Sequence, residues 1–234
     1  MGQKKLMRFE EIKTFPNVLE YPGNMPGQWK KFFKNDNPVT LELACGKGEY
    51  VLGLGRMYAN RNFIGIDIKG NRLWKGAKAA LQQGFSNVAF LRIQIDKITD
   101  YFSKDEVTEI WLTFPDPQLR LSKAKKRLTH PNFLRLYKTI VKKDGAIHLK
   151  TDSPELYQFT KTVINLYGLE LLCDYDDVYS TDNINDELRI RTHYETLDIA
   201  KSKRVHYLQF KINNELPVEK DETLKAILRE QQIN

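Results

Sequence analysis

The chain has 234 residues, of which 41% are hydrophobic and 29% are charged, and this composition supports a folded core and excludes a disordered polyelectrolyte. No apolar run reaches the ~20 residues that cross a membrane, and two cysteines, Cys45 and Cys173, are too few for a disulfide scaffold or a structural zinc site. The first residues carry charge without the apolar stretch of a secretory signal, so we expect a cytoplasmic protein with no membrane and no metal partner.

The net charge of +7 is unevenly distributed. Residues 117–150 carry ten lysines and arginines against a single acid, Asp144, whereas residues 170–198 carry nine acids against two arginines. One concentrated basic segment predicts a polyanionic partner, most simply a nucleic acid. A solvated helical face would carry the same charge, so charge alone leaves both interpretations open.

Short apolar segments alternate with amphipathic ones along most of the chain. We predict strands at 39–44, 62–68, 87–93, 109–114, 146–151, 169–179 and 204–212. Helices are predicted after Gly48, at 72–84, at 130–145 with Gly145 past its end, and at 153–168 with Ser153 as its cap. The pattern predicts one α/β domain over residues 36–213, preceded by a basic extension (1–35) that we expect to be mobile and followed by a tail (214–234).

The order of these elements favours a mostly parallel sheet covered on both faces. No helix separates the last two strands, which indicates an antiparallel pairing at the end of the sheet. The loop between them is long enough to have a function of its own. Ligands of such sheets bind beyond the carboxyl ends of the strands, so the residues that follow each strand are the candidates for a site.

The first two strands end in a pattern typical of nucleoside binding. Gly46 and Gly48 lie between a strand and a helix, where glycines let the backbone approach a ligand. Asp67 ends the second strand 19 residues after Gly48, a spacing at which an acid typically binds the two hydroxyls of an adenosine ribose. An ordinary strand–turn–helix with Asp67 facing solvent is the alternative.

Acidic residues in the first turn select among nucleoside ligands. The three-glycine fingerprint of dinucleotide sites is absent, and Glu42 and Glu49 flank the turn. Their carboxylates would repel a pyrophosphate and favour a cationic ligand. S-adenosyl-L-methionine fits, because it has an adenosine, a sulfonium and an ammonium but no phosphate. A nicotinamide dehydrogenase is disfavoured for the same reason.

The later strands also end in polar residues. Asp116 lies between Pro115 and Pro117, which stiffen the turn after the fourth strand, and we expect it to face the cofactor. Asp152 follows the fifth strand, either as a helix-capping residue or as a ligand-facing acid. Thr192 and Glu195 lie in the long loop and indicate nothing by themselves.

These motifs, taken in order, resemble a known family. They are Glu42-Leu43-Ala44-Cys45-Gly46-Lys47-Gly48, Gly65-Ile66-Asp67, Phe114-Pro115-Asp116-Pro117 with the basic run ending Lys125-Lys126-Arg127-Leu128, His148-Leu149-Lys150-Thr151-Asp152, and Thr192-His193-Tyr194-Glu195. Over about residues 38–212 the pattern is similar to the bacterial tRNA (guanine-N7)-methyltransferases. The Phe-Pro-Asp-Pro turn with its basic run and the Lys-Thr-Asp are the parts specific to that family.

The resemblance implies a Rossmann-like class I methyltransferase fold with a seven-stranded sheet whose last strand is antiparallel. It implies transfer of a methyl group from S-adenosyl-L-methionine to N7 of a guanosine in the tRNA variable loop, with tRNA as partner, and it leaves monomer and homodimer both open.

The implied cofactor residues are Glu42, Gly46, Gly48, Asp67, Gln94 and Asp116, of which Asp116 is also the catalytic acid. The implied substrate residues are Arg120, Asp152, Thr192 and Glu195, and the implied RNA-contacting residues are Lys123, Lys125, Lys126 and Arg127. Lys4, Lys5 and Arg8 are expected to add phosphate contacts.

This chain departs from the family pattern at three places. Ala44 stands where the family has the first glycine of the turn, Gln118-Leu119-Arg120 replaces the usual Trp-Pro-Lys, and Gln94 replaces an acid near the adenine. Gln94 can still pair with the adenine edge through its amide. The changes at Gln118-Leu119-Arg120 leave Glu42, Asp67, Asp116 and Asp152 in place.

Two alternative functions remain at this stage. A methyltransferase acting on another RNA base usually has an Asn/Asp-Pro-Pro-aromatic turn, whereas this chain has Asp116-Pro117-Gln118-Leu119. A non-catalytic RNA-binding protein could retain the fold, although the presence of four acids argues against it, namely Glu42, Asp67, Asp116 and Asp152.

Overall fold

A computed structural model describes residues 2–193, 195–197 and 201–233, with side chains for 6–193, 195–197 and 201–230. The α-helices are α1 (Gly2–Ile12), α2 (Trp29–Phe33), α3 (Glu49–Met57), α4 (Gly70–Gln82), α5 (Pro131–Ile140), α6 (Pro154–Tyr167) and α7 (Lys220–Ile233). The strands are β1 (Val18–Glu20), β2 (Val39–Leu43), β3 (Asn62–Ile66), β4 (Val88–Arg92), β5 (Val107–Thr113), β6 (Val141–Thr151), β7 (Glu170–Tyr175) and β8 (His206–Lys211).

The eight strands form one sheet in the order β1-β4-β3-β2-β5-β6-β8-β7. All neighbours are parallel except that β8 runs antiparallel to both β6 and β7. The predicted α/β class with an antiparallel last strand is therefore confirmed. The additional strand is β1, which pairs with β4 through only three residues and is too short to give a periodic signal.

Two apolar layers enclose the sheet. One contains Trp29 and side chains of α5, α6 and α7, among them Tyr137, Phe159 and Leu224. The other contains side chains of α1, α3 and α4, among them Ile12 and Tyr50. Described residues of 1–35 thus contribute to both layers and those of 214–234 to the first, while the proposed domain boundaries and the mobility of the extension stay predictions.

Local sequence explains where α6 begins and ends. Ser153 Oγ accepts a hydrogen bond from Leu156 N at 3.2 Å, which satisfies a free donor of the first turn. Pro154 follows as the first helical residue, where its missing N–H costs nothing. Gly168 ends the helix at φ +64°, a left-handed conformation that glycine adopts without strain. The predicted helix at 153–168 is confirmed to within a residue at each end.

The predicted helix at 130–145 is too long. α5 ends at Ile140, and Val141 already begins β6, where it pairs with Val107. Gly145 is not a helix cap, because a Cβ added there would lie 2.6 Å from the carbonyl oxygen of Thr108 on β5. The glycine instead allows two strands to approach closely.

No helix of the described residues is long and apolar enough to span a membrane. The carboxyl ends of β2, β3, β5 and β6 all meet at one edge of the sheet, since these four strands are parallel neighbours. The candidate site lies at this edge.

Candidate active site

A cavity of about 650 Å³ opens at the carboxyl edge of the sheet. Its wall contains six acids and three bases, together with apolar side chains of the turn after β5. The acids are Glu42, Glu49, Asp67, Asp116, Asp152 and Glu155, and the bases are Lys47, Lys69 and Arg72. Four of the predicted site acids are therefore brought to one cavity.

Glu42 is buried at the end of β2, with 2% of its surface exposed. Its carboxylate accepts hydrogen bonds from Thr113 Oγ1 at 2.5 Å and from Val51 N at 2.9 Å. Burial raises the pKa of Glu42 to about 8, because water no longer solvates the ionised form and the two hydrogen bonds offset this only in part. A cation in the cavity would favour ionisation of this carboxyl group.

Asp67 directly follows β3 and is hydrogen-bonded to the glycine turn between β2 and α3. One carboxylate oxygen accepts from Gly46 N at 3.0 Å and the other from Lys69 N at 2.8 Å. Each oxygen has a further lone pair, so the group can accept two more donors from a ligand. Binding of the two ribose hydroxyls, which the spacing of the glycines and the acid predicts, stays a prediction.

The turn between β2 and α3 requires small residues. Gly46 and Gly48 have φ values of +58° and +69°, and a Cβ on Gly48 would lie 2.8 Å from Phe90 Cζ. Ala44 also has a positive φ, +57°, although it has a Cβ. Left-handed backbone costs roughly 1–2 kcal/mol for an L-residue, so the departure from glycine at position 44 introduces local strain.

The turn after β5 carries a second strained residue. Phe114 has a φ of +48°, and its N–H donates to Lys150 O at 2.8 Å. Asp116 follows, exposed at the cavity wall, with Oδ1 accepting from Gln118 N at 3.0 Å. Backbone strain in bulky residues is common at functional sites, where the surrounding fold holds it in place.

The substrate-binding residues implied by the resemblance lie next to this turn. Thr192 and Asp152 line the cavity, and Asp152 also lines a smaller neighbouring concavity of about 260 Å³. Glu195 lies in that concavity, and its N–H donates to Thr192 Oγ1 at 3.3 Å. These three residues therefore lie at adjoining surfaces, while Tyr194 of the same motif lies outside the described residues.

Gln94 and Arg120 lie elsewhere in this structure. Both are exposed, and neither belongs to the wall of the cavity. Gln94 precedes the 3-10 helix that follows β4, and Arg120 precedes the 3-10 helix Leu121–Lys126. Their assignments to the adenine and to the substrate remain predictions.

The basic run divides into two structural classes. Lys123, Lys125 and Lys126 are exposed on the 3-10 helix, and we call them the lysine ridge. Arg127 is only 6% exposed and donates from Nε to Pro117 O at 3.1 Å, with its guanidinium 4.5 Å from the ring of Phe159. Its placement differs from the expected phosphate contact, since it supports the turn that carries Asp116.

The N-terminal bases are only partly described. Arg8 lies over the ring of Trp74 at 4.6 Å, which attaches α1 to α4. The side chains of Lys4 and Lys5 lie outside the described residues. Among the described residues, no group of three or more histidine, cysteine or acidic side chains is arranged to hold a metal ion.

Lys150 belongs to the Lys-Thr-Asp motif, but the sequence assigned it no role in the site. It is the residue before the last of β6, its side chain is wholly buried, and its ammonium donates to Glu195 Oε2 at 3.1 Å. A lysine inside an otherwise apolar strand is a signal that could have identified it, because lysine is almost never fully buried unless it is paired.

Comparison with known proteins identifies the relatives of this chain. A family model described as "Putative methyltransferase" matches residues 36–208. A tRNA (guanine-N(7)-)-methyltransferase of Bacteroides fragilis is 46% identical over 224 residues, covering 92% of this chain and 88% of the relative. The enzyme of the same name from Christiangramia forsetii is 46% identical over 223 residues, covering 91% of this chain and all of the relative.

Solved structures share the fold at low sequence identity. The 16S rRNA methyltransferase KamB superposes with a TM-score of 0.60 at 16% identity, covering 79% of this chain and 92% of that one. A SAM-dependent methyltransferase from Aquifex aeolicus gives a TM-score of 0.53 at 15% identity, covering 87% of this chain and 97% of that one. These likenesses concern the fold alone.

Proposed function

The chain belongs to the tRNA (guanine-N(7)-)-methyltransferase family, and from this premise we propose that it methylates N7 of a guanosine in the tRNA variable loop at the cavity described above. The observation that carries the proposal is the convergence of Glu42, Asp67 and Asp116 on one cavity at the carboxyl edge of the sheet. This is where α/β sheets of this kind bind their ligands.

The donor and acceptor groups of the cavity fit S-adenosyl-L-methionine. Asp67 offers carboxylate oxygens to two ribose hydroxyls, while its bonds to Gly46 N and Lys69 N fix its orientation. Glu42 offers a carboxyl group whose ionised form a cation would stabilise. When bound, this cofactor supplies a methyl group activated by a sulfonium.

The reaction requires little acid–base catalysis by the protein. Guanine N7 carries a lone pair in the neutral base, so no proton has to leave before the methyl group is attacked. The protein has to align the reacting atoms, which is an effect of orientation. Positive charge then develops on the purine ring, and the fixed carboxylate of Asp116 would stabilise it. The Asp116–Gln118 hydrogen bond and the two flanking prolines hold that carboxylate in place.

Selection of guanine requires acceptors for its N1–H and N2–H donors. Asp152 and Glu195 offer carboxylates next to the cavity, and either can receive this donor pair. Adenine lacks the pair, and an unsatisfied buried acceptor costs about 1–3 kcal/mol. We assign guanine recognition to these two acids and phosphate binding to the lysine ridge.

Methyl transfer to transcribed tRNA tests the proposal. With labelled cofactor, we expect label in a tRNA whose variable loop contains guanosine and none when that guanosine is replaced by adenosine. Chain cleavage specific for N7-methylguanosine should map the product to the variable loop. Cleavage at another loop would refute the assigned position, label without N7 cleavage would indicate amino methylation, and tRNA binding without transfer would indicate a non-catalytic binder.

A further inference from the structure

The buried ammonium of Lys150 joins the strand β6 to the loop that carries Thr192 and Glu195. Its Nζ donates to the carbonyl oxygens of Leu188 at 2.9 Å and Ile190 at 3.0 Å, and to Glu195 Oε2 at 3.1 Å. The side chain is 0% exposed. All three donors of the ammonium thus have an acceptor on a segment 38 to 45 residues away in the sequence.

Three aromatic rings surround the same ammonium. The rings of Tyr50, Phe114 and Tyr179 lie 5.7, 5.6 and 5.6 Å from Nζ, within range of a cation–π interaction. The hydroxyl of Tyr179 also donates to Glu195 Oε1. The ammonium therefore contacts both the Glu195 loop and the ring of Phe114, two residues before Asp116.

The loop is also attached elsewhere in the described chain, because Val178, Ile184 and Leu188 are buried in the apolar layer that contains side chains of α3 and α4. Between β7 and β8 it contains three short 3-10 helices and no strand, so no backbone ladder fixes it to the sheet. Tyr50 OH donates to Glu187 O at 2.7 Å, and His193 N donates to Glu49 Oε2 at 2.8 Å. Among the described contacts, those of Lys150 Nζ and Tyr179 OH reach the carboxylate of Glu195 itself.

We propose that Lys150 is a positioning residue that fixes the Glu195 carboxylate, and with it the Thr192 loop, relative to the Phe114–Asp116 turn so that both can engage one guanine. This inference rests on the function proposed above. It assigns Lys150 no contact with substrate or cofactor. Its main chain contributes to the same link, because Lys150 O accepts from Phe114 N at 2.8 Å.

A double-mutant cycle on tRNA methylation separates positioning from general stability. Lys150→Met and Glu195→Gln should each lower kcat/KM for tRNA by about 100-fold, and the double variant should lose little more than either single one, because both remove the same aligned carboxylate. S-adenosyl-L-methionine affinity, measured by calorimetry, should stay within about threefold in all three variants. A structural lesion unrelated to residue 195 would multiply the losses and lower cofactor affinity.

Lys161→Met is the matched control. Lys161 donates to Asp174 Oδ2 at 2.6 Å and to Tyr157 OH at 3.4 Å, so its partners are a carboxylate and a tyrosine, as for Lys150. It lines neither concavity, and its side chain is 33% exposed. Its substitution should leave kcat/KM for tRNA unchanged. A loss equal to that of Lys150→Met would overturn the positioning role.

Hydrogen exchange gives a readout that does not depend on activity. Lys150→Met should raise exchange of backbone amides in residues 186–197 while β5 and the turn at Gly46 keep their protection. Tyr179→Phe removes only a hydroxyl and should show the same pattern of exchange more weakly. It replaces Lys150→Met in this experiment if that variant does not fold. Unchanged exchange in the loop would overturn the inference. Absence of methyl transfer by the unmodified enzyme would instead refute the proposed function.

Discussion

The two halves of the cavity hold their carboxylates in different ways. On the side of β2 and β3, Glu42 and Asp67 accept hydrogen bonds from backbone N–H groups no more than 21 residues away. On the side of β5 and β6, Asp116 is exposed and Glu195 is held by the side chain of Lys150, 45 residues away. Backbone N–H groups hold both acids of the cofactor half, with Thr113 Oγ1 as an additional side-chain donor to Glu42, and Gln118 N orients Asp116 in the same way. The Glu195 carboxylate differs, because it is held by the side chains of Lys150 and Tyr179.

This difference predicts which substitutions impair cofactor binding and which impair tRNA methylation. Acids held by the backbone retain their geometry when neighbouring side chains change, so cofactor binding should be robust to changes elsewhere. Acids held by distant side chains depend on each contact, so changes in the substrate half should impair tRNA methylation without impairing cofactor binding. The following predictions test this separation.

The largest effect is expected at the substrate half from Asp116→Asn. Asparagine keeps the shape but removes the charge that stabilises the methylated ring, so single-turnover methyl transfer should slow by about 10²–10³-fold. Cofactor affinity, measured by calorimetry, should change by less than about threefold if the halves are independent. A rate within a few-fold of the unmodified enzyme would remove Asp116 from the mechanism.

The lysine ridge extends the substrate half towards RNA. Changing Lys123, Lys125 and Lys126 together to alanine should weaken tRNA binding by at least about tenfold and reduce the slope of log affinity against log salt by about one per lysine that contacts a phosphate. Filter binding over a salt series measures both quantities. Lys142 and Lys143 are equally exposed at the opposite end of β6 and form the control pair. If changing Lys142 and Lys143 to alanine altered the salt slope equally, the loss of tRNA affinity would reflect nonspecific electrostatics and not phosphate contacts by the lysine ridge.

Cofactor binding should depend on pH through ionisation of Glu42. Burial raises the pKa of Glu42 from 4.5 to about 8, so the protonated form stabilises the ligand-free fold at low pH and this contribution is lost as pH rises through about 8. A cationic ligand requires the ionised form. Affinity for S-adenosyl-L-methionine should therefore rise with pH up to about 8, by at most about tenfold per unit, with proton release on binding.

Calorimetry in buffers of different ionisation enthalpy measures that released proton. Glu42→Gln cannot ionise, so its affinity should vary less with pH, and the difference between the two proteins isolates Glu42 from titration of the ligand. The same proton release in both proteins would show that Glu42 does not meet the cation.

The smallest effect concerns backbone strain at Ala44, in the turn between β2 and α3. Ala44→Gly should raise the free energy of unfolding by up to about 1 kcal/mol, because glycine adopts a φ of +57° without strain. Chemical denaturation measures the change. Ala79→Gly within α4 should do the opposite by about 0.5–1 kcal/mol. Destabilisation by Ala44→Gly would show that the turn carries no strain.

The glycine turn and Asp67 lie together for a physical reason that the sequence contains, while their role in cofactor binding stays a prediction. Their geometry comes from a short turn and one neighbouring strand, so the spacing of Gly48 and Asp67 is informative by itself. The helix boundary near Gly145 was wrong because a glycine after Lys142-Lys143-Asp144 is compatible both with a helix cap and with a close approach of two strands. Thr108 O, far away in the sequence, decides between them.

In the substrate half, Asp116 and Asp152 were candidates from their positions after the strands, whereas Thr192 and Glu195 were identified through the family resemblance. The apolar strand around Lys150 signals a buried lysine but does not identify Glu195 as its partner, and the basic run does not indicate that Arg127 folds inward while Lys126 remains exposed. Both outcomes depend on contacts between segments that are distant in the chain. The short strand β1 was missed because three residues give no periodicity.

A crystal structure with S-adenosylhomocysteine, the product form of the cofactor, tests the central claim most directly. We predict ribose hydroxyls within hydrogen-bond distance of Asp67, the amino-acid end beside Glu42, and the sulfur facing the side of the cavity that carries Asp116. A ligand bound away from Glu42 and Asp67, or a sulfur turned from Asp116, would contradict the account.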